Sequence, residues 1–316
     1  MAAAFSGFGP ADFLAYEEHK WASNRFNLER MRAREKLQQL AGAAAGVAGV
    51  DALGLGMEAT HDHPTIFNHK RVDAQWVFFA RPEAERKRLS VLIDKEHPLH
   101  RVVEDPAPHH LHAILGLRLD LAGLEVGLRI HRNAWVDVRN LGARCTSAEG
   151  RAALVAIIAA VPGAVVCAGG PEVAGELVDD EALAPLSAGG EPETEWILVA
   201  RRFDREDPLL AGPDLTAAVA ETLESLVPLY AFAAWREDND HLGLVDVLAA
   251  ERRRAEELRA TAPRTIAEDA RVRIIRGILS GHQGWVDSLD GMGGARVRLG
   301  TLTVQVMTRD LQLDEG

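Results

Sequence analysis

Cysteine is nearly absent: the 316-residue chain has two, Cys145 and Cys167, too far apart in sequence to form a metal-binding pair. They read as buried small hydrophobes or free thiols of a reducing compartment. No stretch approaches 18 uninterrupted apolar residues, so no membrane span is expected. The opening residues, Met1-Ala2-Ala3-Ala4-Phe5-Ser6, lack a basic region followed by an apolar run, so no signal peptide is expected either. These absences predict a cytoplasmic protein without a membrane partner. Positive charge is also in deficit, with 35 Lys and Arg against 47 Asp and Glu and a net charge of -12. That balance excludes a protein whose whole surface clamps nucleic acid, and leaves room for a local basic patch. Catalytic signatures are missing too. There is no His-Glu-x-x-His pair and no Gly-x-Ser-x-Gly elbow, and neither cysteine sits in a demonstrably basic setting. Gly54-Leu55-Gly56 and Gly291-Met292-Gly293-Gly294 match neither the P-loop nor the dinucleotide pattern, and read as turns.

What is present suffices for a packed interior, because 47% of the residues are hydrophobic and 26% charged. The length exceeds one average domain, and Thr261-Ala262-Pro263-Arg264 reads as a linker, which predicts domains at 1–262 and 263–316. Along the first, helical spacing of Phe13, Tyr16, Trp21, Phe26, Leu28, Met31 and Leu37 predicts one long helix from Pro10 to about Leu40. The small residues from Ala41 to Met57 fit a helix end, a packing segment or a connection. Ala74–Phe79 reads as a strand, with Arg88–Asp94 its hairpin partner across Arg81-Pro82-Glu83. A second hairpin pairs His112–Leu119 with Leu124–His131 through Ala122-Gly123. Ser147 caps a helix to Val161, Ala164–Ala168 and Glu195–Phe203 are strands, and Asp214 caps a helix to about Trp235 that contains Pro228. His241–Ala260 closes the series as a helix. The result is an α+β fold in which a large N-terminal domain of antiparallel hairpins is flanked by helices, with a partly parallel sheet left open by the strand at Val165.

Nine of the 12 histidines lie between residues 61 and 131: His61, His63, His69, His97, His100, His109, His110, His112 and His131. His61/His63 and His110/His112 have the His-x-His spacing that puts two imidazoles on one side of an extended segment, so zinc or another divalent metal is an alternative reading. A metal-dependent hydrolase or nuclease would follow from it, and carboxylates Asp120, Glu125 and Asp137 with Lys70 nearby are the corresponding nuclease candidates. Loop histidines and solvent-facing strand carboxylates are the commoner meaning of such patterns, so the leading reading carries no cofactor and no catalytic residue.

The C-terminal stretch is organised by spacing. Val272 and Ile274 alternate toward one face, Gly277, Gly281 and Gly284 serve a turn, and Val286, Val297 and Leu299 continue a meander with glycine-bearing connections. Over roughly residues 270–313 this order resembles the KOW motif of the NusG family and of some ribosomal proteins. The resemblance implies a small all-β SH3-like barrel that docks to transcription or translation machinery through RNA or a protein partner. Arg273, Arg276, His282, Gln283, Trp285, Arg296 and Arg298 are the exposed candidates for binding. Six arginines stand against five acids from Arg271 onward, about +1, with about -13 on the remainder, and this acidic balance favours a protein partner over RNA. The leading functional expectation is a non-enzymatic binding or adaptor protein.

Overall fold

The computed structural model describes residues 5–96, 107–168, 170–187, 194–261, 266–290 and 293–314. The chain forms two compact units, Met1–Arg86 with Arg101–Leu242, and Lys87–His100 with Gly243–Gly316. This division differs from the expected boundary near residue 262. Most of the expected linker, residues 262–264, lies outside the described residues, as do His97, His100 and the Gly291-Met292 part of the glycine run.

The first unit opens with α1 (Pro10–Leu14) and α2 (Asn27–Ala48). The single long helix expected over this stretch is broken by two 3-10 turns, Glu18–Lys20 and Asn24–Phe26. Ser23, Asn24 and Asn27 supply the reason, because short polar side chains offer the backbone non-helical partners. The Ser23 hydroxyl accepts from the Arg25 amide. Fully buried Arg30 then holds the break, donating to the Trp21 carbonyl at 3.3 Å, the Ser23 carbonyl at 2.5 Å and Asn27 Oδ1 at 2.8 Å. From there α2 runs on through the ambiguous alanine-rich segment and ends at left-handed Gly49.

Strands β1 (Gly56–Ala59), β2 (Ala74–Ala80), β3 (Ile114–Asp120) and β4 (Gly123–His131) follow, interrupted by helix α3 (Glu83–Glu96). This helix replaces the expected strand Arg88–Asp94. Pro82 starts it, its carbonyl accepting from the Glu85 and Arg86 amides, and Glu83 and Glu85 favour the first turn. Leu89, Leu92 and Ile93 recur at helical spacing and are buried. Next come α4 (Trp135–Cys145), α5 (Ala148–Ala159) capped by Ser147, β5 (Ala164–Cys167), β6 (Val173–Ala174), α6 (Ala184–Ser187), β7 (Trp196–Asp204) and α7 (Leu215–Ala233).

The seven strands form one sheet in the order β1-β2-β3-β4-β7-β5-β6, and every described pairing is antiparallel, β5 with β7 included. No parallel pair therefore arises from the strand at Val165. One face carries Val77, Phe79, Leu115, Leu117, Leu119, Leu124, Val126, Leu128, Ile130 and Val199 into a core shared with α2 and α7. The other face alternates to Trp76, Arg118, Glu125, Arg129, His131, Trp196 and Arg202. Together these elements bear out the α+β class.

The second unit contains α8 (Leu244–Thr261) and a sheet of β8 (Arg271–Ile274), β9 (Gln283–Leu289), β10 (Gly294–Leu299), β11 (Leu302–Met307) and β12 (Leu311–Leu313). The order is β11-β10-β9-β8-β12, all antiparallel, with Val272, Ile274, Val286, Ala295, Val297 and Leu311 buried together. The sheet does not close into the expected barrel: β11 and β12 are its two edges, and the short turn Thr308–Asp310 carries the chain from one to the other. Among the described residues, no helix of the protein is long and apolar enough to cross a membrane.

Two glycines expected in a turn have different jobs. Gly281, at φ +92°, does occupy the turn after β8, in open space. Gly284 instead lies within β9 opposite Val272, where an added Cβ would stand 2.5 Å from the Arg298 carbonyl oxygen and 2.8 Å from Val297 Cγ1. Close strand approach, not a positive φ, demands glycine here. Gly284→Val is expected to destabilise the C-terminal unit by about 1–3 kcal/mol through overpacking. Urea denaturation and proteolysis of the 266–314 segment measure it, and an unchanged midpoint would contradict the packing of β9 on β10.

Candidate functional site

The outward face of the C-terminal sheet gathers the exposed half of the alternation that buries Val272, Ile274, Val286 and Val297. Register does the rest: Trp285 on β9 stands opposite Arg271 on β8 and opposite Arg298 on β10. A half-exposed indole (49%) is thus flanked by a guanidinium-bearing residue on each neighbouring strand. The next row places Arg273 opposite Gln283, and Arg296 faces Gln305 on β11. Arg271, Gln283, Gly284, Trp285, Arg298 and Gly300 line a shallow depression of about 580 Å³.

The arginines are held loosely. Asp314 lies 3.3 Å from both Arg271 Nε and Arg273 Nη2, and Asp287 lies 3.2 Å from Arg298 Nε. Solvent-exposed pairs of this kind contribute at most about 1 kcal/mol each, so these arginines can exchange a carboxylate for a ligand anion. Arg271 Nη2 also donates to Gln283 Oε1 at 3.0 Å, which presents the amide edge outward. Of the residues expected from sequence, Arg273, Gln283, Trp285, Arg296 and Arg298 share this face. Arg276 and His282 are exposed but sit in the turn between β8 and β9, where His282 Nδ1 donates to the Leu279 carbonyl. Arg271 was missed, although its alternation with Val272 was a usable signal.

The alternative metal candidates are dispersed. His61 and His63 lie side by side, ring centroids 5.4 Å apart, with His63 Nδ1 donating to Asp62. His110 and His112 turn to different surroundings: His110 stacks on His131 at 4.2 Å, while His112 is buried with Nδ1 3.2 Å from Arg81 Nη1. Among the described residues, no group of three or more His, Cys, Asp or Glu is placed to hold a metal ion. The three strand and helix carboxylates do not converge either, because each is held by its own arginine. Asp120 pairs with Arg118, Glu125 with Arg129 and Arg202, and Asp137 with Arg81. Burial alone would raise the Glu125 carboxyl, but Arg129 and Arg202 hold it below the ordinary carboxylate range. Arg129 lies over the Trp76 ring at 4.8 Å and the Trp196 ring at 5.5 Å, which makes this face a packed cationic and aromatic layer.

No protein-family model matches the chain, and comparison with curated proteins finds no match.

The buried Arg81–Asp137 pair carries two expectations. Asp137 accepts from both Arg81 Nη groups and from the Ala113 and Trp235 amides, the last two at 2.7 and 2.8 Å. Asp137→Ala should cost about 3–5 kcal/mol by leaving a buried guanidinium unpaired. Adding Arg81→Met should recover part of that loss, as measured by denaturant midpoints. His112 gives the pH dependence. Burial, with the Arg81 guanidinium beside it, lowers its pKa from 6.5 to about 3, so the folded protein keeps this imidazole neutral. Its contribution to stability is therefore fully present above pH 6.5 and is lost as pH falls toward 3, where only the unfolded chain binds the proton. In that window His112→Asn should flatten the fall of stability with pH by up to about 1.4 kcal/mol per pH unit. Parallel pH profiles for the two proteins would contradict a neutral His112.

Proposed function

We propose that this protein is a non-enzymatic adaptor of the cytoplasm that docks to transcription or translation machinery by gripping single-stranded RNA on its C-terminal sheet. The observation that carries the reading is the row Arg271–Trp285–Arg298 across three adjacent strands. An exposed indole on a flat sheet is a stacking platform for a base, and flanking guanidinium groups meet the backbone phosphates on either side. The strand order β11-β10-β9-β8-β12 supports reading this unit as an SH3-like, KOW-like module left open between its edges. Net charge alone favours a protein partner. The local surface argues otherwise, because the acidic excess lies outside this stretch while the face itself presents four arginines against Asp287 and Asp314.

Fluorescence anisotropy with a labelled oligouridylate, read across a salt series, tests the proposal. Two to four phosphate contacts predict a logarithmic salt slope of about 1.5–3, at roughly 0.7 per contact for a single strand. Trp285→Ala should weaken binding by about 1–3 kcal/mol, and Arg271→Ala with Arg298→Ala should weaken it and flatten the slope, with the fold intact. Absence of binding at low salt, or binding indifferent to Trp285, would overturn the RNA reading. A complex captured equally with and without ribonuclease would assign the face to a protein.

A further inference from the structure

A second surface, independent of the RNA reading, lies on the connection between β1 and β2. At its tip Ile66 is 62% exposed and Phe67 43% exposed. The loop that carries them is stiff. Thr65 Oγ1 accepts from the Phe67 amide at 3.2 Å, Asn68 Oδ1 accepts from the Thr65 amide at 2.7 Å, and Asn68 Nδ2 donates to the His63 carbonyl at 2.9 Å. The Lys70 amide closes the loop onto the Thr65 carbonyl at 2.7 Å. His69 and Lys70 are consecutive non-glycine residues at φ 52° and 59°, a conformation that side chains disfavour and that this network enforces.

The aromatic half of the tip is also fixed. The Phe67 ring stacks on His61 at 6.1 Å and 22°, and His61 packs against His63. His63 Nδ1 donates to Asp62 Oδ1 at 2.8 Å, and Arg34 of α2 binds Asp62 Oδ2 at 3.0 Å. The histidines that suggested a metal thus buttress a phenylalanine. Two exposed cations follow the apolar pair, Lys70 and Arg71, while Asp62 is taken by Arg34. Arg71 lies 5.8 Å over the Trp21 ring, and among the described residues no carboxylate forms an ion pair with Lys70 or Arg71.

We propose that this knob seats in an apolar pocket with an acidic rim on a protein partner. Preorganisation lowers the ordering cost of binding, and only a surface of fixed shape rewards it. A bilayer is fluid and gains nothing from a ring locked by stacking. A nucleic acid would be met by cations at the tip, whereas here the cations sit behind Ile66 and Phe67. An apolar anchor seated in a desolvated pocket is the pattern of a protein hot spot, and the cations that follow it call for acids on that pocket's rim.

Site-specific photo-crosslinking of the full-length protein in its native cells tests this, with benzoylphenylalanine in place of Phe67. One protein should be captured, at a site bordered by Asp or Glu. Ile66→Ser should lower the yield at least 10-fold at unchanged melting temperature, and Lys70→Glu with Arg71→Glu should lower it as much while removing no contact but that of Arg71 with Trp21. Asn68→Ala should lower it as well, since it leaves the tip chemistry intact and removes two of the four bonds that hold the loop. Adducts of nucleotide or lipid only, or a yield indifferent to both Ile66→Ser and the charge reversal, would overturn the proposal. The same protein captured from a probe at exposed Leu177 would overturn it equally.

Discussion

The first unit depends on one buried ion pair. Arg81 leaves the end of β2 and meets Asp137 in the first turn of α4, 56 residues on, with both side chains sealed from solvent. Around that contact the Ala113 amide at the entry to β3, the Trp235 amide and the Trp235 carbonyl, just beyond α7, are all satisfied. Four segments distant in sequence are pinned at a single point, so the helix layer is fixed to the sheet by geometry as well as by apolar contact. A buried pair gains little net free energy over an apolar filling, and what it enforces is uniqueness, since any shift of α4 would strand a charge without solvent.

The two faces of the large sheet show the same division of labour. The helix-covered face is apolar throughout, and its fit follows from area and shape. The opposite face mixes Trp76 and Trp196 with Arg118, Arg129 and Arg202, and Asp120, Glu125 and Glu172 are each answered by a guanidinium there. Chemically busy residues on a strand can therefore be wholly occupied with one another. That self-sufficiency separates this layer from the C-terminal face, whose arginines have only shared or exposed acids.

Alternation made β2, β3, β4 and β7 readable from the chain, because period two is visible wherever one face is buried. The run Leu89-Ser90-Val91-Leu92-Ile93 was not separable in the same way: a short apolar stretch fits strand and helix equally, and the deciding feature was Pro82 with two acids behind it. Gly284 could be singled out but not placed, since glycine marks a positive φ and a close approach alike. Trp285 and three of the arginines that share its face, Arg273, Arg296 and Arg298, were recognisable as exposed candidates. The Arg271–Trp285–Arg298 row was not, because it exists only once three strands are in register. The Arg81–Asp137 pair left no local trace at all.

The buried stripe of α2, Ala33, Ala41, Ala44, Ala45 and Ala48 beside Leu37 and Leu40, has a consequence for how this sequence can drift. Where α2 lies against α7 the alanines set the spacing, so a larger residue there must push two elements apart at about 1–3 kcal/mol. The solvent side of the same helix has the opposite character. Gly42 and Gly46 face open space in helical conformation, and an alanine at either would strengthen the helix by up to about 1 kcal/mol. Descendants of this chain should therefore diverge fastest on the outer face of α2 and keep the inner one small, so that one helix records both tolerance and constraint.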